Sequence, residues 1–194
     1  MIPARRATEP KDFETKVRSI GNKWLRTHPD AKRPPALWIP FTPDLERAYK
    51  NLCGYAAMLD PTGGTIDHFK SIKNHLPLAY EWSNYRFASG IMNSSKRTAD
   101  ESVLDPEEVG ASWFEILLPS LQMRLTNRVP ADLRTKAEFT LQRLKLDKGL
   151  RVIRWRRAWY KLYQEGKLNL EGLRDVAPLI AEAVERANSA TTSH

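Results

Sequence analysis

Asp67 and His68 stand side by side just after the pair Gly63-Gly64, and two amides follow, Asn84 sixteen residues beyond His68 and Asn93 twenty-five beyond it. These residue types suit the cutting of a phosphodiester. That reaction needs a base to activate water, a cation to neutralise charge on the phosphate and the leaving oxygen, and a scaffold that holds both in line with the scissile bond. His68 suits the first task, because imidazole titrates near pH ~6.5. Asp67 suits the second, because a carboxylate is a hard oxygen ligand for Mg²⁺. Neighbours on a strand point to opposite faces, so the pair can serve different partners. The Asn93 carbonyl can add a second oxygen ligand, since Mg²⁺ keeps several waters and needs only one or two ligands from protein. Lys70, Lys73 and Arg86 flank the pair and are candidate phosphate contacts, the plainer reading being solubilising charge. His75 is read as a loop histidine without a role, an extra ligand or phosphate contact being the alternative. His28 and His194 carry no argument.

The elements that must position these residues are readable in outline. Residues 1–9 read as a loose basic arm. Pro10 opens a helix to about Thr27, with Phe13, Val17, Ile20 and Trp24 at helical spacing. Four prolines between 28 and 41 mark an extended connector, after which Thr42 reads as an N-cap with Pro43 at the first helical position. Residues 53–68 hold two apolar segments split by Asp60-Pro61-Thr62-Gly63-Gly64, the pattern of a β-hairpin ending on Asp67-His68. A loop over 69–81 precedes a helix that begins near Trp82 and includes Asn93. Residues 103–126 suggest a second small hairpin. From Pro130 onward the pattern is helical in three pieces, the third capped by Asn169, and the tail SATTSH reads as disordered.

The bulk properties narrow the class. A chain of 194 residues fits one ordinary domain and can bury a core without disulfides, and the single cysteine, Cys53, forms no intrachain bridge. One thiol suits a reducing compartment, and cytoplasm is the expected location, with no membrane-spanning run of about 18 apolar residues and no secretory leader. The net charge of +8 points to a polyanionic partner, nucleic acid before membrane. The excess is local: residues 121–165 hold twelve Lys and Arg against four Asp and Glu. Within them Arg151, Arg154, Arg157 and Lys161 fall on one helix stripe, beside an apolar stripe of Trp155, Trp159 and Leu162 read as core. Such a stripe can grip a DNA backbone without reading sequence, or be a solvated face.

A hairpin ending in Asp-His, a loop carrying an Asn, and then a helix carrying Asn93-x-x-Lys96 resembles the HNH endonuclease family in its H-N-N variant. The stretches LAYEWSNYR, VLDPEEV and WFEI are similar to a bacterial branch that includes nucleases of anti-phage defence. The resemblance covers roughly residues 50–118. It implies an α+β fold, a ββα-metal HNH core with mostly helical N- and C-terminal extensions. The expected divisions are 1–49, 50–118 and 119–194 within one compact domain. It also implies that His68 is the general base, that Asp67 and Asn93 hold Mg²⁺ or Mn²⁺, that Asn84 braces the loop, and that Lys96 touches phosphate. The chain departs from the pattern at the zinc-binding cysteine pairs. Those positions hold Cys53 with Ala56 and Ser89 with Met92, so no structural zinc is expected and packing by Tyr55, Met58, Phe87 and Met92 must replace it. The expected function is metal-dependent cleavage of DNA, with a defence-system partner such as an ATPase. The rival is an inactive HNH-fold subunit for nucleic-acid binding or assembly.

Overall fold

The computed structural model describes residues 1–192; His194 and the end of the tail lie outside them. The chain opens with an extended segment that is not a loose arm. Met1 and Ala7 are buried, the Ala4 amide donates to the Pro106 carbonyl, and the Trp82 indole N–H donates to the Ala7 carbonyl at 2.8 Å. A π-helical turn, Glu14–Arg18, leads into α1, Ser19–Thr27. The wider turn shifts the buried stripe to every fourth residue, Phe13, Val17 and Gly21, which leaves Ile20 53% exposed. Gly21 is required there: a Cβ would stand 2.3 Å from the Tyr80 ring. A short 3₁₀ turn, Ile39–Phe41, precedes α2, Thr42–Ala48, in which the Thr42 hydroxyl donates back to the Ile39 carbonyl and does not cap the helix.

β1, Gly64–His68, pairs antiparallel with β2, Tyr85–Ser89, in the register Gly64 to Ser89 and His68 to Tyr85. This corrects the expected hairpin over 53–68, of which only an isolated bridge between Leu52 and Leu59 forms. It also replaces the expected helix over 85–89. All five residues of β2 are buried, so no polar alternation marks them as a strand. Gly64 admits the Phe87 ring, which a Cβ would meet at 2.1 Å. α3, Gly90–Lys96, follows β2 directly and is capped by Ser89, whose hydroxyl accepts from the Met92 amide at 3.2 Å.

β3, Phe114–Leu117, and β4, Gln122–Leu125, form the expected second hairpin. Four helices complete the chain: α4, Ala131–Arg143; α5, Leu150–Gln164; α6, Leu170–Val176; and α7, Pro178–Thr192. Asn169 caps α6 through the Gly172 amide at 2.7 Å. The expected third helix breaks at Ala177-Pro178, where proline lacks the N–H to continue the ladder. α7 runs through Thr192, so the tail is helical up to that point. Among the described residues the class is α+β, with seven α-helices and two two-stranded antiparallel sheets. No helix among them is long and apolar enough to cross a membrane.

Two apolar clusters lie on either side of the first strand pair. Ile66, Tyr85 and Phe87 join one with Phe13, Phe41 and Trp82; Ala88 and Met92 join the other with the second hairpin and the C-terminal helices. Trp155 and Trp159 of α5 both donate their indole N–H to the Leu59 carbonyl, at 3.0 and 3.3 Å, which ties the basic helix to the segment before β1.

Candidate functional site

His68 ends β1 with its ring 9% exposed, edge-on to Trp38 and Tyr85 at centroid distances of 4.5 and 4.9 Å. Its Nε2 lies 2.9 Å from the Ala79 carbonyl. A carbonyl can only accept, so Nε2 carries the proton and Nδ1 keeps its lone pair, with no hydrogen bond to it among the described residues. Burial lowers the ring to about 4, helped by the charge of Lys96 and opposed by the Ala79 carbonyl, so the imidazole is neutral at pH 7. The Ala79 oxygen also accepts from the Tyr85 hydroxyl at 2.7 Å.

Asp67 faces the other way, as neighbouring strand residues must. It is 2% exposed, and both oxygens are engaged: Oδ1 accepts from Lys96 Nζ at 3.0 Å and Oδ2 from the Tyr55 hydroxyl at 2.7 Å. Burial raises its pKa, with Lys96 and Tyr55 opposing. Lys96 is fully buried and also donates to the His68 carbonyl at 2.8 Å. Lys96 is therefore not a phosphate contact; it is the internal counter-charge of Asp67. Asn93 lies on the same side of the strands as Asp67, its Nδ2 donating to Thr65 Oγ1 at 3.0 Å and the Ile66 carbonyl at 3.3 Å. Those donations leave its Oδ1 without a hydrogen bond among the described residues. A divalent metal on Asp67 and Asn93 fits only in half: the amide oxygen is open, while the charge of the carboxylate is already balanced by the buried Lys96 ammonium.

Asn84 sits at the end of a 3₁₀ turn, Trp82–Asn84, and closes the 69–84 loop on itself. Its Oδ1 accepts from the Lys70 amide at 2.8 Å, and its Nδ2 donates to the Lys70 and Leu78 carbonyls at 2.9 and 3.2 Å. All three partners are backbone groups. Arg86, opposite Asp67 in the strand pair, is 3% exposed and makes a two-pronged pair with Asp105 at 2.6 and 2.5 Å, with Glu107 at 3.3 Å. A guanidinium so enclosed is not a nucleic-acid contact, which corrects that expectation. The cysteine-pair positions are likewise filled by packing. Cys53, Ala56, Ser89 and Met92 are all buried; the Ala56 amide lies 3.4 Å from Cys53 Sγ, and burial pushes the thiol up against opposing groups on Ser89 and Ala56.

The remaining basic candidates are on the surface. Lys73 is exposed, and the Lys70 ammonium lies 3.8 Å from Glu101. Arg151, Arg154, Arg157 and Lys161 are all exposed along α5, whereas Arg156 turns inward and donates to the Leu121 carbonyl at 2.8 Å. A cleft of about 990 Å³ runs between Ile91 and Ser95 of α3 and the α4–α5 turn, where Lys145, Lys148 and Arg151 outnumber Asp147. Ile91 and Ser95 lie on the side of α3 away from Asn93, so this cleft is not where Asn93 and Asp67 meet.

Ala79, Asp105 and Trp38 complete these contacts without a sequence signal, because they act through a backbone oxygen, a distant charge and a ring edge; Tyr55, expected as packing, also donates to Asp67. No protein-family model matches the chain, and no curated protein matches it.

Proposed function

We propose that the chain is a nuclease of HNH type that hydrolyses phosphodiester bonds in DNA, with His68 as general base. The observation that carries this reading is the His68 ring: neutral, with its proton fixed on Nε2 by a main-chain oxygen and the Nδ1 lone pair unbonded. The β1–β2–α3 order, the loop closed by Asn84 and the open amide oxygen of Asn93 support it. In the reaction Nδ1 takes a proton from water, the oxygen of that water bonds to phosphorus, and the bond from phosphorus to the 3′ oxygen breaks. The leaving oxygen is protonated from solvent, giving a 5′ phosphate and a 3′ hydroxyl. The exposed α5 stripe and the adjoining basic cleft supply a surface for the DNA backbone. The HNH resemblance implies Mg²⁺ or Mn²⁺ and a defence-system partner such as an ATPase. Because Asp67 is committed to Lys96 and Tyr55, no step is assigned to a metal.

The committed state of Asp67 favours a second reading, a nucleic-acid-binding or assembly subunit on an inactive core. Plasmid cleavage separates the two. Wild type is incubated with Mg²⁺, Mn²⁺ or EDTA beside His68→Ala. Metal-dependent cutting that falls by about 10²-fold or more in the variant, with DNA binding retained, supports the nuclease. Binding without cutting under every metal condition supports the inactive subunit and overturns the first reading.

A further inference from the structure

Ser71, His75, Asp100 and Glu101 gather where the 69–84 loop meets the turn after α3, and none of them takes part in the reading above. The amides of Asn74 and His75 both donate to the Ser71 carbonyl, at 3.1 and 2.8 Å, and this turn presents the imidazole to the two acids. His75 Nε2 lies 3.6 Å from Asp100 Oδ2 and 3.9 Å from Glu101 Oε2, and the three donor atoms all fall within 4.8 Å of one another. Asp100 is held in place: Oδ1 accepts from the Ser71 amide at 2.7 Å and Oδ2 from Asn74 Nδ2 at 2.6 Å. Burial raises its carboxyl, but these hydrogen bonds outweigh burial and hold it below the usual carboxylate range.

An independent feature stands behind the cluster. Ser71 is 8% exposed, and its buried hydroxyl has no hydrogen-bond partner among the described residues. The amide of the same residue is the one that donates to Asp100 Oδ1, so the hydroxyl belongs to the residue that holds that carboxylate. Buried hydroxyls without partners are uncommon, and a hydroxyl oxygen is a donor to a cation. From this geometry we infer that His75, Asp100 and Glu101, backed by the Ser71 hydroxyl, form a site for a divalent transition-metal cation. One imidazole with two carboxylates suits Zn²⁺ or Mn²⁺; Mg²⁺ and Ca²⁺ prefer oxygen ligands alone. Bonds of about 2.0–2.2 Å put neighbouring donors of a tetrahedral site about 3.3–3.6 Å apart. His75 and Asp100 already meet that spacing, and the exposed Glu101 side chain, 3.9 Å from His75 Nε2 and within 4.8 Å of the Asp100 oxygen, has to swing in to complete it. Asn74 orients Asp100 from outside the ligand set, and Lys70, 3.8 Å from Glu101, is the cation that the metal displaces. A metal there would tie the loop closed by Asn84 to the turn that follows α3.

The inference does not rest on the nuclease reading, and its test is binding. Zn²⁺ alone, then Mn²⁺ alone, is titrated calorimetrically into the untagged full chain, and melting is followed with and without the metal. One saturable equivalent and a raised Tm are expected. His75→Gln and Glu101→Gln should each weaken binding by at least about 10–100-fold while leaving the metal-free Tm unchanged, since both side chains reach the surface. No saturable binding overturns the inference. Binding that both variants leave unaltered, or that Asn93→Ala abolishes, places the ion elsewhere and also overturns it.

Discussion

Replacing Lys96 by methionine removes one charge from a pair that the fold encloses. The ammonium is fully buried, the Asp67 carboxylate is 2% exposed, and the two are 3.0 Å apart. At an effective dielectric of about 20 their attraction is about 5 kcal/mol. Methionine keeps the volume and leaves Asp67 with Tyr55 as its remaining direct side-chain donor. Breaking a buried pair from one side costs about 3–5 kcal/mol, and in a chain of this length that lowers Tm by about 6–20 °C. Urea denaturation at pH 7 checks the value. The deficit should shrink as pH falls, because burial already raises Asp67 and Lys96 is its chief opposing charge. A carboxyl whose folded pKa is raised is protonated more readily in the folded chain, so acid relieves the penalty. Asp67→Asn combined with Lys96→Met should recover most of the loss. A loss under about 1 kcal/mol, the size of an exposed pair, would refute the reasoning. It would mean that Lys96 is free in solution and that Asp67 is open to a metal after all.

Further outcomes follow from the same contacts. His68 is held at about 4 against an ordinary 6.5, a gap worth roughly 3 kcal/mol. The unfolded chain takes up a proton below pH ~6.5 that the folded chain refuses, so stability should be lost from there down to about pH 4; His68→Gln should flatten the urea-midpoint profile across that window. Asn84→Ala removes three hydrogen bonds to the loop backbone and should cost about 2–4 kcal/mol. Hydrogen exchange should show the Lys70 amide deprotected while α5 amides stay protected. Replacing Arg154 and Arg157 by Gln should leave Tm unchanged and reduce the slope of log K against log salt for duplex DNA by about 1.8, at about 0.9 per cation.

The helical C-terminal third was legible because its signals are local. Asn169 caps the helix that follows it, and the 151–165 stretch shows its apolar and basic stripes within four turns. The second hairpin was legible for the same reason, its strands being separated by a short turn. β2 was not, since Tyr85–Ser89 is buried on both faces and pairs with residues some twenty positions earlier. The same gap explains Arg86 and Lys96. Sequence gives a side chain's charge and not its depth, and their acidic partners are nineteen and twenty-nine residues away. The N-terminal arm looked loose because what holds it, the Trp82 indole and the Pro106 carbonyl, lies far along the chain. For the candidate site, the strand-end position of Asp67 and His68 could be read from the residues, while the commitment of Asp67 to Tyr55 and Lys96 could not.

The proton on His68 is placed by a main-chain oxygen, and that has a consequence for which substitutions its tautomer can survive. No change of side chain at Ala79 deletes the acceptor, so the residue nearest to the ring's chemistry is shielded from point mutation at that atom. Vulnerability moves to the residues that fix where the oxygen sits. The Tyr80 ring fills the hollow left by Gly21, its hydroxyl donates to the Pro35 carbonyl at 2.9 Å, and Asn84 pins Leu78. A methyl group at Gly21, on a helix fifty-nine residues before Tyr80 in sequence, would push that ring and carry the Ala79 carbonyl with it. Control of the tautomer is thus spread over positions beyond the hydrogen-bonded residue itself, and a survey of variants should find intolerance at 21, 80 and 84.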